Sequence, residues 1–145
     1  MMESLYLICS IAGQRVALPA DMIESVVEID GVTPVPLVAR HVAGLFALRS
    51  RVLTIIDSVA ALDLGVTEIG DAMQAVIVGC DGHPYGLLVD NVEDVVATDM
   101  PAEPVRAALS GGWARAATGV VQYEGEALLR IDPAVLIAGQ AAIAA

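Results

Sequence analysis

Apolar and polar residues alternate along much of this chain with a period of two. SLYLICSI puts Leu5, Leu7, Cys9 and Ile11 on one face, the pattern of a half-buried strand. Ala12-Gly13-Gln14 and, further on, Asp81-Gly82-His83 read as hairpin turns whose glycine takes positive φ. Val16–Leu18 and Tyr85–Val89 are the returning strands. DMIE and DNVE carry the Asp-x-x-Glu spacing of a helix start. The β-branched SVVEI and DVVAT that follow predict one helical turn and then a strand. GLFAL and VLTII are strands around an Arg49-Ser50-Arg51 turn. Asp57 and Asp132 end strands as helix N-caps, with Pro133 at the first helical position.

The pattern repeats. Residues 11–30 align without gaps on residues 80–99 and match at seven of twenty positions, among them Gly13/Gly82, Asp21/Asp90, Glu24/Glu93 and Val26/Val95. GLFALRSRVLTIID (44–57) aligns on GVVQYEGEALLRID (119–132) at Gly44, Leu53, Ile56 and Asp57, with Arg49-Ser50-Arg51 opposite Glu124-Gly125-Glu126. Two related units follow, at 5–62 and 74–137, with residues 100–117 as connector. Each holds about five short strands, the size of a small SH3-like barrel. The expected fold is all-β: two pseudo-repeated barrels with one or two short helices, in a single domain over 1–145.

Composition narrows the function. The chain has 145 residues, 57% of them hydrophobic, with 24 alanines and 20 valines, which fits thin sheets and tight barrels, the excess being either a compact core with compositional bias or apolar surface left for partners. No apolar run approaches the roughly 20 residues of a membrane span, and MMESLYL lacks the basic start of a signal peptide. A cytosolic location is expected. A net charge of −11, with no lysine, excludes a nucleic-acid footprint. Cys9 and Cys80 sit in strand-like runs without metal-ligand spacing and read as buried, reduced thiols. His41 and His83 read as surface histidines, and no metal or cofactor site is expected. An aspartic-protease pair at Asp57 and Asp132 fails because neither is followed by Thr or Ser and then Gly. No nucleophile elbow or phosphate loop occurs, so no catalytic residue is assigned.

At GHPYGLLVDNVEDVV (82–96) the chain resembles the CheW family of chemotaxis coupling proteins. Ile23, Val26, Glu28 and Ile29, then Thr33, Val35, Pro36 and Gly44, then Leu48, Arg49, Val52, Ile55, Ile56 and Asp57 follow the family's order of motifs. The resemblance runs from about Leu5 to Ile137. It implies two intertwined five-stranded SH3-like barrels and a non-catalytic adaptor, monomeric by itself. It further implies two partners, the cytoplasmic tip of a chemoreceptor and the regulatory domain of a CheA-type histidine kinase, which would recruit the protein to membrane-associated arrays. Arg49 falls on the family's coupling arginine and Glu28 on the acid paired with that region. Val26, Gly44, Gly86, Val92 and Val95 fall on docking or groove positions, and Arg51 is a candidate beside Arg49. An arginine hairpin can fork-bond a partner carboxylate while nearby valines supply apolar area. The acidic second hairpin would suit head-to-tail packing of barrels. The chain departs from the family at Leu37 and Ser50, where glycines are usual, at Ala39 and Ala47, and at Arg130. These point to a specialised paralogue serving one receptor or one alternative chemosensory pathway, or to one with weakened coupling. A regulatory module of the kinase itself, or a pathway other than motility, is the alternative.

Overall fold

The computed structural model describes residues 3–68, 70, 73–109 and 111–139. Gln140 and the rest of the apolar C-terminal run, Met1-Met2, and Ser110 of the connector lie outside the described residues. Among the described residues ten strands form: β1 (Ser4–Ile11), β2 (Gln14–Pro19), β3 (Ile23–Ile29), β4 (Val42–Leu48), β5 (Arg51–Ile56), β6 (Met73–Cys80), β7 (His83–Val89), β8 (Asn91–Thr98), β9 (Ala117–Tyr123) and β10 (Glu126–Ile131). Three short helices accompany them, α1 (Ser58–Ala61), α2 (Gly111–Ala116) and α3 (Pro133–Ala138), with a 3-10 turn at Ala20–Met22. The third helix, α2, lies in the connector, where no helix was expected.

The strands divide into two sheets, ordered β8-β1-β2-β10-β9 and β3-β6-β7-β5-β4. Each sheet takes one hairpin from one half of the chain and three strands from the other, so the two halves are interwoven. The pairings correspond: β2 lies parallel to β10 as β7 lies parallel to β5. Each sheet then curls into a barrel. The chain after β3 bridges back to β4 at Thr33↔Leu45, and the chain after β8 bridges to β9 at Glu103↔Val120. The fold is the expected pair of intertwined five-stranded SH3-like barrels.

Alternation explains the burial. Leu7, Cys9 and Ile11 of β1 point into the largest core with Val16, Leu18, Val76, Leu87, Ile131 and Leu136, drawn from both barrels. Ile8 and Tyr6 of the same strand face a second cluster with Ala17, Val121 and Leu128 inside the first barrel. Leu53, Ile55, Ile77 and Ile29 fill the second barrel. β1 is thus buried on both faces, more deeply than its sequence pattern implied.

Asp57 and Asp132 cap α1 and α3 as expected, and Pro133 opens α3. The Asp-x-x-Glu reading holds for the first unit, where a single turn precedes β3, and is corrected for its cap and for the second unit. The turn at Ala20–Met22 has no side-chain cap, and β8 begins at Asn91 with no helical turn at all. Asp90 instead accepts the Gly13 N–H at 2.7 Å, while its own N–H donates to Ser10 O, tying the β1–β2 turn to the end of β7. His41 is also corrected. It is buried, its Nε2 lies 2.6 Å from Ile137 O, and it seats the end of α3. His83 is exposed at the start of β7, Cys9 is buried and Cys80 only half-buried.

Candidate functional site

Along β3, Val27 and Ile29 turn into the second barrel's core, so Glu24, Val26 and Glu28 line the outer face with 37% of Val26 exposed. Beside this face runs the β4–β5 hairpin. Leu48 pairs with Arg51, which leaves Arg49 and Ser50 as a two-residue turn. Arg49 takes φ 57° there, is exposed, and has no hydrogen-bond or ionic partner among the described residues. Arg51 is different. Its Nη1 lies 3.0 Å from Glu24 Oε1, so the base of the hairpin is clamped to β3. The guanidinium holds the Glu24 carboxyl below its ordinary pKa, and the carboxylate raises that of Arg51, in both cases mainly through the hydrogen bond.

The remaining candidates fall in two groups. Glu28 is exposed and lies opposite Gln74 of β6, and the Gln74 Oε1 accepts the Val92 N–H at 2.8 Å. Gln74 therefore brings Glu28 of the second barrel near the start of β8 in the first. Val92 is half-buried against the large core, and Val95, on the same strand, is 57% exposed. Gly44 and Gly86 are buried. A Cβ on Gly44, at φ 152°, would collide with the Thr33 carbonyl, and one on Gly86 would stand 2.8 Å from Ile55 Cδ1. Both shape the barrel beneath the surface.

The corresponding face of the first barrel inverts the charges. Where β3 and β5 oppose Glu24 to Arg51, β8 and β10 oppose Glu93 to Glu126. Arg15 of β2 reconciles them. Its Nε lies 2.8 Å from Glu93 Oε2, its Nη1 3.3 Å from Glu126 and its Nη2 3.6 Å from Glu124, with the guanidinium 5.2 Å from the Tyr123 ring centroid. The Arg15 pKa is raised, first by its hydrogen bond to Glu93. Burial, and then Glu124, raise that of Tyr123. One cation against three carboxylates leaves this tip acidic, whereas the Arg49 tip is basic.

Neither Arg15 nor Gln74 stood out in sequence. The repeat did hold the signal for Arg15, since an acid retained at Glu93 and an acid gained at Glu126 call for a nearby cation. Only the parallel β2–β10 pairing shows which arginine supplies it. Asp57 and Asp132 are occupied as helix caps, and among the described residues no group of three or more His, Cys, Asp or Glu could hold a metal.

Two interwoven barrels that expose charged hairpin tips and valine-bearing strand faces have the surface of a docking domain. The family model for the CheW-like domain matches residues 5–141, and the chain belongs to that family. It is 28% identical over 121 residues to the chemotaxis protein CheW of Thermotoga maritima, covering 82% of this chain and 78% of that one. Its fold is similar to that of the scaffolding protein TtCheW of Thermoanaerobacter tengcongensis, with a TM-score of 0.77 at 21% identity over 90% of this chain and 89% of that one. No helix among the described residues is long and apolar enough to cross a membrane.

Proposed function

We propose that this protein is a non-catalytic, cytoplasmic adaptor that couples the cytoplasmic tip of a chemoreceptor to the regulatory domain of a CheA-type histidine kinase. It is monomeric alone and joins receptor arrays through its partners. The observation that carries this reading is Arg49, an unpartnered, exposed guanidinium at a hairpin tip, beside a strand face carrying Val26 and Glu28. A guanidinium not satisfied within its own chain is free to fork-bond a partner carboxylate. Val26, and Val95 on the other barrel, offer apolar area. Arg51, already bound to Glu24, holds the hairpin in place more than it touches a partner. Leu37, fully exposed where the family resemblance expects glycine, favours a partner particular to this chain.

Calorimetric titration tests the assignment. The wild type is expected to bind the kinase regulatory domain and a receptor-tip hairpin at micromolar affinity. Arg49→Glu should weaken one of the two at least about tenfold, as expected for reversing a charge at a paired site, without melting the fold. Arg51→Ala should cost less than half as many kcal/mol, because an exposed ion pair contributes little. Equal losses at Arg49 and Arg51 would mean that both touch the partner. Binding to neither partner by a folded chain would end this reading.

A further inference from the structure

The two halves lay down the same elements but finish differently beside their helix caps. In the first half, the chain leaving α1 turns back through Leu62–Glu68, and Thr67 reaches Asp57. Its N–H donates to Asp57 Oδ2 at 2.8 Å and its hydroxyl to Oδ1 at 2.6 Å. With Val59 and Ala60 N–H also donating, that carboxylate accepts four hydrogen bonds. The cavity left beside Thr67, between Val59, Met73, Leu88, Val89 and Asp90, measures about 160 Å³.

In the second half the corresponding place is open. A cleft of about 770 Å³ lies among Ser4, Tyr6, Pro19, Asp21, Thr118 and Asp132. The repeat alignment makes the match: Ser4 answers Met73, Pro19 answers Leu88, Asp21 answers Asp90 and Asp132 answers Asp57. The Asp132 carboxylate accepts only the Ala134 N–H among the described residues, at 3.0 Å from Oδ1, so its Oδ2 has no donor among them. Arg130, which also lines the cleft, is committed to the Thr118 hydroxyl and carbonyl, both at 2.9 Å. Carried ten residues past its end at the same offset, the alignment sets Thr67 against Ala142, which has no hydroxyl to give.

We propose that this cleft receives an extended peptide segment of a partner protein, with a serine or threonine donating its N–H and hydroxyl to Asp132 as Thr67 does to Asp57. The occupant's form follows from the filled half, where a stretch of chain occupies the site. A second copy cannot lend its own Leu62–Glu68 segment, because Thr67 is already engaged within its chain. Glu3 and Asp21 join Asp132 around the cleft against the single committed Arg130, which favours a segment with basic flanks. The site is separate from the Arg49 face, and the proposal stands whichever partner that face takes.

The probe is a capped peptide, LKLGVTK, built on the Leu62–Glu68 sequence with its acids replaced by lysine, titrated into the isotope-labelled full chain and followed by NMR. Saturable shifts centred on Tyr6, Asp21, Thr118 and Ala134 are expected. LKLGVVK, which lacks the hydroxyl, should bind about fivefold more weakly, the scale of one lost hydrogen bond. Asp132→Asn, which keeps a cap for α3, should weaken the threonine peptide more than the valine peptide, which donates only its N–H. The proposal is overturned by shifts absent from the cleft, by equal binding of the two peptides, or by Asp132→Asn affecting both alike. Markedly tighter binding to a chain ending at Gly139 would also overturn it, by showing that the protein's own tail is the occupant.

Discussion

Leu37 holds φ 61° with its side chain wholly in solvent, so it gains nothing from burial to offset a left-handed backbone. That conformation costs an L-residue about 1–2 kcal/mol, part of which glycine returns through the greater freedom of its unfolded chain. Leu37→Gly is therefore expected to stabilise the fold by up to about 1 kcal/mol, raising the calorimetric melting temperature by roughly 3 °C. A lower melting temperature would show that Leu37 makes a favourable contact. Cys9 makes a second residue-scale case. Burial, followed by the charges of Asp90 and Glu93, pushes its thiol from 9.0 to about 12. A raised folded pKa means full stability below the unfolded thiol's pKa of about 8.5, and loss as pH climbs toward the folded value. At pH 8 a thiol reagent should label Cys80, at the half-buried end of β6, and reach Cys9 only after denaturant is added. Rapid labelling of both in native protein would contradict this burial.

The caps belong to the scale of elements, where equivalent residues have diverged in their duties. Asp57 ends β5, caps α1 and holds Thr67 of the following loop, whereas Asp132 caps α3 through one N–H. Asp132→Ala should cost about 1 kcal/mol, the usual worth of a cap. Asp57→Ala should cost at least about 2, since it also strands the two half-buried donors of Thr67. Urea unfolding of the two variants checks the ranking, and equal losses would mean that the Thr67 bonds contribute nothing. Both caps were legible in sequence because an Asp before an apolar run, with Pro133 beside one of them, is local chemistry. The β1–β2 and β4–β5 turns were legible for the same reason. What escaped was set by tertiary partners. Asp90 had the spacing of a capping residue, but the Gly13 N–H from the other half of the chain took its carboxylate. His41 read as a surface histidine on a loop, yet α3 folds over it and its ring faces the Ile137 carbonyl. Among the site residues, the sequence placed Arg49 on a tip but gave no sign that Arg51, two residues on, is held by Glu24.

Across the whole molecule, interweaving makes each barrel depend on both halves of the chain, and the largest core draws on both sheets. A lesion in either half should therefore weaken both barrels together. It also fixes the basic Arg49 tip and the acidic Glu124–Glu126 tip on one rigid body despite the net charge of −11. Two dissimilar charged tips on one scaffold suit two different partners, which is what the proposed coupling requires. Reconstitution measures this directly. The autophosphorylation rate of the CheA-type kinase would be followed with receptor-bearing membranes, with and without this protein, and with Arg49→Glu in its place. The account predicts that the wild type brings the kinase under receptor control, so that its rate changes on adding receptor ligand, and that Arg49→Glu largely abolishes that response while remaining folded. A kinase rate indifferent to the wild-type protein in the presence of receptor would contradict it.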